Sequence, residues 1–148
     1  NLLPGRVRVR EAGRLLLDVE GVGEVSVPAS AVPASAVAAA PAAQAARAAS
    51  AVPAPPMGEG TPLVLSCRPH ALQLDLPAAA RATDVHSLWL RGRVDSSEFL
   101  GGHTRYHVRV GTRTLAADQA HFAGQAKLAA GAEVDLRLDL AQMRLLPA

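Results

Sequence analysis

Val134-Asp135-Leu136-Arg137-Leu138-Asp139-Leu140 alternates apolar and polar residues without a break. Successive side chains of an extended chain leave opposite faces, so Val134, Leu136, Leu138 and Leu140 share one face and Asp135, Arg137 and Asp139 the other. That pattern reads as a strand with one face on a core and one in water. It recurs in Thr104 to Val110, where Tyr106, Val108 and Val110 face one way and Arg105, His107 and Arg109 the other. Gly111-Thr112 reads as a hairpin turn into Arg113 to Ala116, Ala130-Gly131 as the turn into the 134–140 run, and Met143 to Leu146 as a closing strand. Toward the N-terminus, Leu88 to Asp95 reads as a strand, and Ser96 to Gly102 carries a glycine pair that must turn or bulge. Pro62 to Arg68 reads as a strand, Pro69-His70-Ala71 as a kink, and Leu72 to Asp75 as a further strand, with a polar, alanine-rich connection over 77–84. Arg6-Val7-Arg8-Val9-Arg10 alternates strictly, which places Val7 and Val9 together and the three arginines opposite. Arg14 to Val19 and Glu24 to Val27 follow after turns at Glu11 to Gly13 and Gly21 to Gly23. Short strands at this spacing point to an all-β fold, a small antiparallel barrel or sandwich.

Between the two β-rich stretches the composition breaks. Pro28 to Pro56 holds 15 Ala and 6 Pro in 29 residues, with Val27-Pro28-Ala29-Ser30-Ala31 copied in tandem as Val32 to Ala36. Ala38 to Ser50 has helical propensity but no apolar stripe with which to dock. The expected organisation is therefore a first β segment over 1–27, an Ala/Pro-rich low-complexity insertion over 28–61, and a second β segment over 62–148 that completes the domain.

A chain of 148 residues supports one core, and with only Trp89, Tyr106, Phe99 and Phe122 as aromatics that core must be mainly Leu and Val. The net charge is +2 and Lys127 is the sole lysine. No dense basic patch interleaved with stacking aromatics appears, which argues against a nucleic-acid partner. No run approaches the roughly 18 apolar residues of a membrane-spanning helix, and the start carries no signal-peptide pattern. The absence of an initiator Met before Asn1 reads as a piece cut from a longer chain. A single cysteine, Cys67, fits a reducing compartment and sits in an apolar strand pattern where a small buried thiol is expected.

The motifs of catalysis are missing. There is no Gly-x-x-x-x-Gly-Lys-Ser/Thr phosphate loop, no Gly-x-Gly-x-x-Gly fingerprint and no Gly-x-Ser-x-Gly elbow. Gly21-Val22-Gly23 reads as a plain turn. His103 and His107 share a strand face but stand roughly 13 Å apart along it, too far to chelate one metal ion. Cys67 and His70 have half-site spacing without a second pair, and the carboxylates are scattered. The face made by Arg6, Arg8 and Arg10 reads as a solvated edge strand, charged against unwanted pairing, with an anion or nucleic acid as the alternative partner.

Four short stretches in this order resemble one family, the TOBE (transport-associated OB) domain that follows the ATPase domain in ATP-binding subunits of ABC importers. Asn1-Leu2-Leu3-Pro4-Gly5-Arg6-Val7 is similar to the family's entry sequence. Leu65-Ser66-Cys67-Arg68-Pro69-His70 resembles its apolar-Arg-Pro-Glu signature, with His70 where the family usually has Glu. Glu98-Phe99-Leu100-Gly101 resembles its Phe-Leu-Gly bend, and Gly131-Ala132-Glu133-Val134 its Gly-x-x-Val return. The resemblance implies an OB-like barrel with Asn1, Gly5, Arg68, Pro69, Phe99, Leu100, Gly101 and Gly131 as structural positions, and Arg68 free to reach a carboxylate or carbonyl. It implies a non-catalytic regulatory and dimerisation domain with no catalytic, cofactor or metal residue of its own, ATP and Mg²⁺ belonging to an N-terminal ATPase domain. The implied partners are that domain, a second copy of the subunit and the membrane permeases, at the cytoplasmic face of the membrane. Phe99-Leu100-Gly101 followed by Thr104-Arg105-Tyr106 resembles the polyamine or ferric-iron group of importers more than the sugar group. Arg105, His107 and Arg109 are the expected contact face for a second copy. The competing readings are a stand-alone OB module that binds a small oxyanion and a nucleic-acid-binding OB fold.

Overall fold

The computed structural model describes residues 1–11, 13–28, 59–77, 86–122, 124 and 126–148. The Ala/Pro-rich stretch from 29 to 58 and most of the 77–84 connection lie outside them. Ten strands form two five-stranded antiparallel sheets. The first sheet has the order β10-β4-β1-β2-β3, built from β1 (Leu2–Glu11), β2 (Arg14–Val19), β3 (Gly23–Pro28), β4 (Pro62–Ser66) and β10 (Arg144–Pro147). The second has the order β5-β9-β6-β7-β8, built from β5 (Leu72–Asp75), β6 (Ser87–Phe99), β7 (His103–Val110), β8 (Arg113–Ala120) and β9 (Glu133–Asp139). β5 lies beside β8, so the second sheet curls toward closure as a barrel.

Period two sets this arrangement. In β7 the inward row Thr104, Tyr106, Val108 and Val110 is buried, while Arg105, His107 and Arg109 lie on the outer face. In β9 Val134, Leu136 and Leu138 are buried in the same core. That core is almost wholly Leu and Val and spans both sheets; Tyr106 is the one aromatic in it. Phe99 and Phe122 are exposed and Trp89 is half-buried. Pro69–Ala71 forms one 3-10 turn that carries the chain from β4 in the first sheet to β5 in the second. Leu140–Gln142 forms another that carries it back from β9 to β10. Gly21 and Gly23, at φ +76° and +103°, make the β2–β3 turn, in agreement with the plain-turn reading.

One expectation about β1 needs correction. β1 is the central strand of its sheet, paired on both sides, rather than an edge strand. Its pairing with β2 carries a register shift between Val7 and Val9. The shift lies just past Arg6, where the β1–β4 ladder ends and β1 continues with β2. The glycine pair turns as expected, within Leu100–Gly102 after β6 ends at Phe99, and β6 carries a separate register shift between Val94 and Ser96. Val94 itself stays opposite Val108, and on its other side its backbone bonds to Ala132 and Gly131.

Candidate functional site

Two features of the second sheet carry chemistry. The first is its outer face, where charged residues from neighbouring strands pair. Arg105 on β7 makes a two-point contact with Asp118 on β8, at 2.7 and 2.9 Å. His103 Nε2 approaches the same carboxylate at 3.7 Å. The hydrogen bond from Arg105 holds the Asp118 carboxyl below its ordinary range; burial opposes this, and the charges of Arg105, His103 and His70 add to it. Arg109 pairs with Asp95 at 3.1 Å. Between these two engaged arginines His107 is half-exposed and has no hydrogen-bonding partner among the described residues. Arg91 pairs with Asp135 at 3.1 Å, and Asp135 is buried although its place in the alternating run predicts solvent. The next outer position, Arg137, lies 5.9 Å over the Trp89 ring. Most arginines on this face are thus already matched within the molecule.

The second feature is a cavity of about 150 Å³ at one end of the barrel. Thr104 and Gln119 are cross-strand partners on the last inward rung of β7 and β8, and the Tyr106 ring stands one rung above. The Leu128 backbone N–H donates to the Tyr106 hydroxyl at 3.3 Å, which anchors the backbone next to Lys127, an exposed residue at the rim. Phe99, Ala120, His121 and Ala126 complete the wall, with the His121 ring edge-on to Phe99 at 5.5 Å. The side chains of Thr104, Gln119 and Lys127 have no hydrogen-bonding partner among the described residues, and the wall contains no carboxylate. Sequence reading did not single out this set, because it is spread over two strands and a loop. The available signals were Lys127 as the lone lysine and Thr104 as the polar residue on an otherwise apolar row.

The motif positions fall elsewhere. Asn1 ties the sheets together: its side chain makes two hydrogen bonds with the Ala116 backbone on β8, and its backbone pairs with Cys67. Gly5 crosses β2 where a Cβ would stand 2.8 Å from the Asp18 carbonyl oxygen. Pro69 opens the first 3-10 turn, and the side chain of Arg68 before it is exposed, with no hydrogen bond or ion pair among the described residues. Leu100 and Gly101 form the exposed β6–β7 turn, with Phe99 at its base beside the cavity. Gly131, at φ +87°, makes the turn into β9. Cys67 is buried, which pushes its thiol pKa up, and His70 is exposed. Among the described residues no group of His, Cys, Asp and Glu is placed to hold a metal ion, and no helix is long and apolar enough to cross a membrane.

The TOBE domain family model matches residues 65–146, more than half of the chain. The chain belongs to the TOBE domain family. Its TOBE match takes in β5 to β9 entire, together with β10 and the end of β4, so the barrel, the outer arginine face and the end cavity all fall within it. Among solved structures, the chain is similar to the cytoplasmic molybdate-binding protein ModG in a form with molybdate bound, at 15% sequence identity and a TM-score of 0.68. That likeness covers 100% of this chain and 96% of that one, and it agrees with the two-sheet, OB-like TOBE fold of the described residues. Curated protein sequences give no match.

Proposed function

We propose that this TOBE module is the regulatory domain of an ABC importer's ATP-binding subunit. In this reading it is non-catalytic, holds two such subunits in register, and leaves ATP hydrolysis and the drive to the membrane permeases to a preceding ATPase domain at the cytoplasmic face. The observation that carries it is the position of the entry segment. Asn1 to Val7, the stretch that resembles the junction with an ATPase domain, lies in a central strand of the first sheet, and Asn1 is bonded across to the second. A domain attached ahead of Asn1 would be joined to a rigid seam between both sheets, and motion of the one would be transmitted to the other. The resemblance of Phe99-Leu100-Gly101 and Thr104-Arg105-Tyr106 favours polyamine or ferric iron as the solute. His107, set between Arg105 and Arg109, is the centre of the proposed contact with a second copy, since an isologous patch needs polar groups not already satisfied within one molecule. The gene supplies the test: a phosphate loop and ABC signature in frame upstream of Asn1 are expected, and a start codon directly before this chain would overturn the reading.

A second reading is favoured by the whole-length likeness to ModG: a stand-alone module that binds a small oxyanion. Calorimetric titration with molybdate separates the two. Tight, saturable uptake by the isolated chain supports the oxyanion module, and its absence leaves the regulatory domain.

A further inference from the structure

The end cavity of the barrel has a chemistry that neither reading assigns. Its wall carries side-chain groups able to donate that bond to nothing else among the described residues: the Thr104 hydroxyl, the Gln119 amide, the His121 ring and the Lys127 ammonium, with no Asp or Glu. The Tyr106 hydroxyl accepts from Leu128, which leaves its own proton free to donate. Thr104 is largely buried, and its hydroxyl is reached only through the cavity. Donor-rich lining around a single lysine calls for an anion of one charge. The rest of the wall is carbon: the Phe99 ring, the face of Tyr106, and the methyl groups of Ala120 and Ala126.

We propose that this cavity binds a small monocarboxylate with a short apolar body. A tetrahedral oxyanion directs oxygen to every side and would turn some of it toward the carbon of Phe99 and the alanines, where no donor stands. A carboxylate gathers both oxygens at one end, where Lys127 and the hydroxyl and amide donors take them, and sets its hydrocarbon against Phe99 and the alanines. At about 150 Å³ the space is well below the roughly 300 Å³ at which drug-sized sites begin, so the ligand is of only a few carbons. The site depends on neither reading of the chain's wider role, because all of its wall belongs to this domain.

Butyrate is the probe, followed by amide chemical shifts in the isotopically labelled chain, with butylammonium and sulfate as the other arms. Saturable shifts centred on Thr104, Gln119 and Lys127 are expected with butyrate and absent with butylammonium. Lys127→Met should weaken butyrate about tenfold or more, as loss of a charged hydrogen bond does, and Lys127→Arg should restore part of it. Thr104→Val, which preserves the shape of the buried side chain, should weaken it to a smaller extent at an unchanged thermal midpoint. The proposal is overturned by the absence of saturation in the millimolar range, by shifts centred on the outer arginine face, by tighter binding of sulfate than butyrate, or by a Lys127→Met chain that binds as well as the parent.

Discussion

The Asn1 carboxamide clasps the backbone of Ala116: Nδ2 donates to the Ala116 carbonyl at 2.8 Å, and Oδ1 accepts from the Ala116 N–H at 2.7 Å. The two residues belong to different sheets, and only Asn or Gln offers a donor and an acceptor side by side in this way. Asn1→Ala should therefore lower stability by about 1–2 kcal/mol, and Asn1→Asp by at least as much, since a carboxylate cannot donate to the carbonyl. Chemical denaturation of the three chains checks this; equal midpoints would mean that the clasp contributes nothing to joining the sheets.

A second joint between the sheets is made of backbone alone. Thr112 N–H donates to the Gly21 carbonyl at 2.9 Å, and a Cβ on Gly111 would collide with that same carbonyl. Gly111 also sits at φ +59°, where an L side chain is strained. Gly111→Ala should cost about 2–3 kcal/mol. Gly131→Ala, at φ +87° but with nothing near its Cβ, should cost only about 1 kcal/mol. Thermal melts that place the two variants together would show that the collision is relieved by a small shift.

These joints explain how much of the molecule was legible in its sequence. Alternation in Thr104–Val110 and Val134–Leu140 identified the strands and the faces of the second sheet, because a half-buried strand writes its environment at every second position. The central place of β1 was not legible: pairing partners are set by contacts across long stretches of chain, and arginines in a strand do not announce that both its edges are occupied. Asp135 was read as solvated because it is polar on an outer face; its burial depends on Arg91 and on what covers that face. The wall of the end cavity was likewise hidden, since Thr104, Gln119 and Lys127 meet only when β7, β8 and the following loop are folded.

Acid should act on the pair between Arg105 and Asp118. The Asp118 carboxyl is held below its unfolded value, chiefly by the hydrogen bond from Arg105, so the folded state binds its proton less readily than the unfolded chain does. Its contribution is complete above the unfolded carboxylate pKa of about 3.9 and is lost as pH falls through the lower folded value. Asp118→Asn should be about 1 kcal/mol less stable at neutral pH. The gap should close as the pH drops below the carboxylate range. A gap that stays constant with pH would place the effect in packing instead of charge.

The proposed contact with a second copy predicts weak dimers of the isolated chain, because an attached ATPase domain would supply further interface. Reversing Arg105 or Arg109 would also break the pairs with Asp118 and Asp95, so His107→Glu is the cleaner probe. Sedimentation over a range of concentrations should show self-association in the parent chain and less in His107→Glu. A strictly monomeric parent would remove this surface as an interface.

The most direct test of the central claim is ATP turnover by the complete natural gene product that contains this chain, measured beside the chain alone. The account predicts hydrolysis by the complete product and no ATP binding by the chain, whose sequence lacks a phosphate loop. A complete product that neither binds nor hydrolyses ATP, or saturable ATP binding by the chain itself, would contradict it.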